Sequence, residues 1–142
     1  MQKEKEAQTI LGLWIKEHIG ELEQCVIELK LEKGTSFALD RVAEHQVAAL
    51  KATQGDGLYY KINDMPFIKD NPRMRYTQQK PFDCMLLKGI PAFVVIVFYA
   101  PRQYKRAFFV PIDNWLKILD EHPRKSIRQS ELHAYATRIV EL

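Results

Sequence analysis

Hydrophobic positions along the chain switch between helical and strand spacing, which predicts a mixed α/β fold. Within residues 3–20, Ile10, Leu11 and Trp14 recur at helical spacing, and Gly20 marks the expected end of that helix. Three further elements follow in order: a strand at 24–31, a helix at 39–57 and a strand at 58–64. This succession of strand, helix and strand predicts two parallel strands in an open sheet.

The second half of the chain is predicted to contain more strands and two short helices. Residues 81–99 have the pattern of a hairpin that turns at Lys88–Pro91. The remaining elements are a strand at 106–112, a helix at 113–121 and a helix that begins at Ser130. Asp113 or Asn114 is the expected N-cap of the helix at 113–121.

Composition narrows the class of protein. A chain of 142 residues with 46% hydrophobic content is long enough for one domain with its own core, so we assign 1–142 to a single domain. The net charge of +3 is compatible with a polyanionic partner but does not demonstrate one. Cys25 and Cys84 lie in apolar stretches without CxxC spacing, which predicts buried free thiols and a cytoplasmic protein. The longest apolar run, IPAFVVIVFYA, is too short to span a bilayer.

Two charged residues change the interpretation of the first strand, VIELKLEKG at residues 26–34. Because strand side chains alternate, Glu28 and Lys30 share one face while Ile27 and Leu29 point to the other. One interpretation is a half-exposed strand whose outer face is solvated. The other is a metal and phosphate site, in which the carboxylate binds a divalent cation and the ammonium contacts phosphate or water.

The longer segment ELKLEKGTSFALDRVAEHQVAALKATQGDGLYYKI resembles RecU-like Holliday-junction resolvases. In that family an acid-x-Lys strand leads into a Ser/Thr-Phe loop, a helix carrying His-Gln, a glycine-rich turn and another strand. The matching positions are Glu28, Lys30, Thr35, Ser36, Phe37, His45 and Gln46. The similarity continues in FFVPIDNW and in RKSI at 124–127, so that it covers most of residues 26–135.

This resemblance implies a restriction-endonuclease-like PD-(D/E)xK fold, with a mixed central sheet flanked by helices. The family places a second essential acid on the strand before the acid-x-Lys strand, and no such strand precedes Glu28 here. The segment KPFDCMLLKG at 80–89 is similar to the missing element, but it follows the helix. We therefore expect a displaced aspartate strand that brings Asp83 close to Glu28.

The resemblance also implies the chemistry of the site. Asp83 and Glu28, with the Leu29 backbone carbonyl, would bind Mg²⁺, for which Mn²⁺ would substitute, and Lys30 and Gln46 would complete the catalytic set. Glu17, Glu21 or Glu23 would add a metal ligand unless they are solvated helix-end charges.

The implied substrate is branched or otherwise structured DNA, cut by an endonuclease that is expected to be a homodimer. The basic residues that a phosphate-contacting surface would use are Arg73, Arg75, Lys80, Arg102, Lys105, Arg106, Arg124, Lys125 and Arg128. The other interpretation of these residues is an ordinary solvated surface. The alternative is a catalytically silent module on the same scaffold, which binds DNA or a protein partner. Fold and motif do not fix the DNA target.

Overall fold

A computed structural model describes residues 2–61 and 84–142 of the protein. It shows a mixed α/β fold in which helices flank a central mixed sheet. Single turns of 3-10 helix occur at Ile19–Glu21 and Leu39–Arg41. The other elements in chain order are α1 (Gln2–Glu17), β1 (Val26–Glu32), β2 (Ser36–Ala38), α2 (Glu44–Gln54), β3 (Leu58–Lys61), β4 (Cys84–Leu87), β5 (Ala92–Ala100), β6 (Tyr104–Pro111), α3 (Ile112–Glu121), β7 (Ser126–Arg128), α4 (Gln129–Leu132) and β8 (Arg138–Glu141).

The main sheet has four strands in the spatial order β1, β5, β6, β8. β1 runs parallel to β5, whereas the β5–β6 and β6–β8 pairs are antiparallel. β5 is interior because its sequence AFVVIVFYA has no charged side chain to keep in water, and every residue from Val94 to Phe98 is buried. Two short antiparallel pairs, β2 with β7 and β3 with β4, lie outside this sheet.

Each face of the sheet carries its own apolar cluster. On one face, Leu11 of α1 packs with a cluster of strand residues, namely Val95, Val97, Ala107 and Phe109. On the other face, α2, α3 and the β2–β7 pair supply Leu50, Trp115 and Phe37 over Val94 and Ile96. Alternate residues of β5 therefore belong to different clusters, and both faces of the sheet are covered.

The predicted parallel unit of two successive strands is wrong. β1 has its parallel neighbour in β5, while β3 pairs antiparallel with β4 in a separate two-stranded ribbon. Burial explains the difference, since β5 is fully apolar and takes the interior position beside β1. β3 instead exposes Tyr59 and Tyr60, whose side chains suit a ribbon that is open to solvent.

The predicted hairpin at 81–99 is also wrong in its pairing. Strands do flank the expected turn at Lys88–Pro91, but β4 pairs with β3 while β5 pairs with β1 and β6. The hairpin of the main sheet is formed by β5 and β6, which meet at a turn where Arg102 has a φ of 60°. Pro101, which cannot donate a ladder hydrogen bond, is the first residue of this turn, and the Gln103 N–H closes the turn by donating to the Ala100 carbonyl at 3.0 Å.

Helix boundaries differ from the predicted ones mainly at the N-termini. The predicted helix at 39–57 divides into the 3-10 turn and α2, which ends at the predicted glycine stop, Gly55. The N-cap of α3 is Pro111, not Asp113 or Asn114, because the helix begins two residues earlier than the polar pair suggests. Asp113 instead accepts a 2.9 Å hydrogen bond from Gln54 Nε2.

The cysteines and the helices bear on two other expectations. Both thiols are free, but Cys25 is only partly buried and Cys84 is exposed, so the expectation of buried thiols is wrong. Cys25 directly precedes β1, and Cys84 is the first residue of β4 in the exposed β3–β4 ribbon, which accounts for the exposure of the two thiols. Among the described residues, no helix is both long enough and apolar enough to cross a membrane.

Candidate active site

The charged pair of β1 lies on the sheet face that α2 covers. Glu28 is in register with Val94 and Lys30 with Ile96, and both of those β5 residues are buried. The side chain of Glu28 is 28% exposed and that of Lys30 only 16%. A freely solvated strand face would leave such side chains largely exposed, so this pair is sheltered and still reachable from solvent.

One oxygen of Glu28 holds the cluster together. Oε1 accepts a 2.6 Å hydrogen bond from Nε2 of Gln46 and lies 3.0 Å from Nζ of Lys30. Oε2 has no hydrogen-bond or ion-pair partner among the described residues. The carboxylate is therefore oriented through one oxygen, while the other remains available to a ligand.

Gln46 is held in position by the start of α2. Its Oε1 accepts a 3.0 Å hydrogen bond from the backbone N–H of Ala43, and its own N–H donates to the Ala43 carbonyl at 2.9 Å. Ala43 is the N-cap of α2 and has no polar side chain, so the glutamine supplies the reciprocal part of a capping box. The same side chain thus orders the helix and donates to Glu28. Its neighbour His45 is exposed.

Sequence reasoning missed the charged pair that continues this strand face. Glu32, two residues beyond Lys30, forms an ion pair with Arg41, whose Nη2 also donates to the Leu31 carbonyl at 2.7 Å. The Arg41 guanidinium lies 4.8 Å from the centre of the Phe37 ring. The signal was present as charged residues at every second position of β1, from Glu28 to Glu32.

The predicted metal ligands meet only in part within the described residues. Glu28 has a ligand oxygen available, but the described ranges contain no group of three or more His, Cys, Asp or Glu side chains that could hold a metal ion. Glu17, Glu21 and Glu23 are exposed, as expected of solvated helix-end charges. The side chain of Leu29 faces the α1 cluster. Asp83 lies outside the described residues.

The predicted DNA-contacting residues fall on different sides of the molecule. Arg102 and Lys105 line a cavity with Ala7 and Ile10 of α1, on the face opposite to Glu28. Lys125 lies beside the groove between α2 and α3, and Arg124 forms an ion pair with Glu131. Arg73, Arg75 and Lys80 lie outside the described residues.

Glu131 is surrounded by donors and positive charge. Its Oε2 accepts a 2.9 Å hydrogen bond from the Arg128 backbone N–H, and this bond is the main cause of a pKa below the ordinary value for a glutamate. Desolvation is the second-largest effect and opposes this lowering, while the nearby charges of Arg124, His122 and Arg128 each lower the pKa further. Glu131 thus stays ionised and neutralises part of the basic RKSI segment.

No protein-family model matches the chain, and comparison with curated proteins and with solved structures gives no significant match.

Proposed function

We propose that this protein is a Mg²⁺-dependent endodeoxyribonuclease with a restriction-endonuclease-like fold, which hydrolyses phosphodiester bonds in branched DNA. The observation that carries the proposal is the Glu28 carboxylate, whose Oε1 contacts both Lys30 and Gln46 while Oε2 has no partner among the described residues. An acid and a lysine on one strand face, joined by a glutamine from the facing helix, provide a metal ligand, a phosphate contact and a positioning residue.

The oxygen chemistry of Glu28 fits Mg²⁺. This ion prefers oxygen ligands, keeps several water molecules and is usually held by one or two carboxylates together with substrate phosphates. Glu28 offers one such carboxylate in a sheltered but reachable position. We assign the second carboxylate to Asp83, which directly precedes β4 in the chain, and a further oxygen to the Leu29 carbonyl.

Each side chain has a distinct part in the proposed hydrolysis. A bound Mg²⁺ would polarise the phosphate and lower the pKa of a coordinated water. Glu28 would orient that assembly, and Gln46 would keep Glu28 in one rotamer by donating to Oε1. The Lys30 ammonium would stabilise the negative charge that develops on the phosphate as water oxygen bonds to phosphorus and the leaving alkoxide departs with a proton.

The substrate proposal rests on the resemblance to resolvases. Cutting two strands of a junction symmetrically favours a homodimer with two copies of the site. Mixed strand directions in the main sheet, with helices on both faces, are compatible with the proposed fold.

Paired measurements of metal binding and cleavage test the proposal. Mn²⁺ titration by calorimetry is combined with a cleavage assay on four-way and linear DNA for wild type, Glu28→Gln, Asp83→Asn and Lys30→Met. Glu28→Gln and Asp83→Asn should lose metal binding and cleavage together. Lys30→Met should keep metal binding while cleavage falls about 10²-fold or more, the scale of losing one electrostatic contact in the transition state.

Exposed residues of α2 provide matched controls. Glu44→Gln and Lys51→Met make the same changes on the surface of the helix and should leave both readouts unchanged. Full cleavage by Lys30→Met would refute the role of that lysine. Wild-type protein that neither binds Mn²⁺ nor cuts DNA would favour the silent binding module.

A further inference from the structure

A recess lined by cationic side chains lies on the same side of the main sheet as Glu28. It is distinct from the cavity lined by Arg102 and Lys105 on the opposite face. It has a volume of about 400 Å³ and is lined by Arg106, Arg128, His133, Tyr104 and Gln129, together with Thr35 and Ser130. These residues come from three separate segments of the sequence, and His133 was not among the predicted site residues. Only the packing of β6, β7 and α4 brings them together.

Strand register establishes which side of the sheet the recess occupies. Glu32 of β1 pairs with Phe98 of β5, which pairs with Arg106 of β6. Residues in register share a face, and Glu32 shares its face with Glu28 and Lys30. From strand spacing and rise, the Arg106 and Lys30 backbones lie about 12 Å apart. Arg106 therefore projects to the face that bears the candidate active site.

The recess has more positive than negative charge. Glu141 pairs with Arg106, and Glu131 pairs with Arg124, so each carboxylate near the recess has an arginine partner. The Arg128 guanidinium takes part in none of the ion pairs found among the described residues. The Glu141 side chain is 64% exposed, and a surface pair of this kind is weak enough for an anion to compete with it.

The surrounding contacts hold Arg106 and the histidine in place. The Arg106 guanidinium lies 5.1 Å from the centre of the Tyr104 ring, and the His133 ring packs edge-on against Phe108 at 5.1 Å. The Gln129 backbone N–H donates to the Thr35 carbonyl at 2.8 Å. This last bond ties the start of α4 to the loop that follows β1, and so links the recess to the active-site strand.

We propose that the recess binds one phosphate group of the DNA. This phosphate belongs to the same strand as the phosphate that is cleaved at Glu28 and Lys30. The proposal rests on the proposed nuclease function for the identity of the strand. Arginine is suited to this role because its planar guanidinium donates two parallel hydrogen bonds to phosphate oxygens. A distance of about 12 Å corresponds to the axial rise of three to four nucleotides, at about 3.4 Å for each.

DNA-binding titrations test the recess separately from catalysis. Anisotropy of labelled four-way DNA is measured in Ca²⁺ at several salt concentrations for wild type, Arg128→Gln, Arg106→Gln and Glu141→Gln. Arg128→Gln and Arg106→Gln should each weaken binding about 5- to 20-fold and reduce the log–log salt slope by about 0.9, the value for one lost phosphate contact. Glu141→Gln should tighten binding because Arg106 loses its competing carboxylate.

A charge-matched control lies on the opposite face. Arg138 is exposed and its guanidinium lies over the Trp14 ring, so Arg138→Gln removes the same charge away from the recess. If Arg128→Gln weakens binding no more than Arg138→Gln, the recess proposal is overturned. A wild-type protein that does not bind DNA also overturns it. Unchanged thermal midpoints in all variants exclude misfolding as the cause of weaker binding.

Two further measurements are needed. One distinguishes binding of free phosphate from binding of a DNA phosphate, and the other distinguishes failure of the recess proposal from failure of the nuclease proposal. Competition by inorganic phosphate alone, with no difference between variants in DNA binding, would mean a site for free phosphate and overturn the strand contact. If Arg128→Gln weakens binding only of oligonucleotides that carry a 5′-phosphate, the recess binds a terminal phosphate and the proposed contact with the cut strand is overturned. A loss of affinity specific to Arg128→Gln in a protein that does not cut DNA would support a phosphate contact in the recess but refute the nuclease, and with it the assignment of the bound strand. Cleavage without that loss would refute the recess alone.

Discussion

At the scale of single residues, the candidate site depends on a side chain with two roles. Gln46 accepts from the Ala43 N–H through Oε1 and donates to Glu28 through Nε2. An aliphatic residue would serve neither role, and a glutamate would serve only the first. This difference allows the structural contribution of Gln46 to be separated from its contribution to the site.

Gln46→Glu should make stability fall as pH rises. The new carboxylate keeps the capping interaction but faces Glu28, and two carboxylates at that distance cannot both ionise without cost. The folded variant then retains a proton that the unfolded chain releases, so urea unfolding should show near wild-type stability at pH 4 and a loss of about 1–2 kcal/mol at pH 8. Added Mn²⁺ should offset this loss.

A comparison with Gln46→Ala completes the test. The alanine variant loses the cap and the donor, and its destabilisation should be the same at both pH values. If the stability of Gln46→Glu does not change with pH, that result would contradict the hydrogen bond between Gln46 and Glu28.

At the scale of elements, α1 contributes to the fold through one side only. Ala7 and Leu11 are buried against the sheet, whereas Leu13 of the same helix is 55% exposed. Trp14 and Ile15 pack at the edge of the same cluster. The apolar spacing that predicts this helix therefore also indicates which of its residues contact the sheet, with Leu13 as an apolar residue on the outer side.

Leu11→Ala and Leu13→Ala should differ strongly in their effects on stability. The substitution is identical and lies in one helix, but only Leu11→Ala leaves a cavity against Val95 and Val97. We expect a loss of about 2–4 kcal/mol for Leu11→Ala and less than about 0.5 kcal/mol for Leu13→Ala, measured by urea unfolding. Equal losses would show that α1 does not pack on the sheet as described.

At the scale of the whole molecule, the sheet separates two groups of basic residues. Arg102 and Lys105 line a cavity on the α1 side, while Arg124 and Lys125 precede β7, whose Ile127 belongs to the core on the Glu28 side. The Leu39 N–H donates to the Lys125 carbonyl at 2.9 Å, which ties this segment to the 3-10 turn before α2. The proposed function places DNA on the Glu28 side of the sheet, and it therefore predicts that the two groups do not contribute equally to binding.

Double substitutions of the two groups should reveal this asymmetry. Arg124→Gln with Lys125→Gln should weaken binding of four-way DNA more than Arg102→Gln with Lys105→Gln, although each removes two charges. We expect a difference of at least about 5-fold near 0.1 M salt, which narrows as salt screens the charges. Equal effects would indicate that only net charge matters, and a larger effect of the Arg102 pair would place DNA on the α1 side.

Local patterns in the sequence indicated the longer helices and strands and the face of β1 that carries charge, but they did not predict β2, β7 or β8. Period-two alternation separated Glu28 and Lys30 from Ile27 and Leu29, and the structure confirms that the apolar pair faces the α1 cluster. The glycine stop of α2 was equally predictable. These features depend on backbone geometry within a few residues, which the sequence specifies directly.

Only the tertiary structure decided which strands pair and which side chains meet. β5 pairs with β1 across more than sixty residues of chain because burial of its two apolar faces outweighs the nearer partners. The same packing brings Gln46 to Glu28, and brings Arg106, Arg128 and His133 into one recess. No local pattern encodes such contacts, because they arise from the balance of burial over the whole fold.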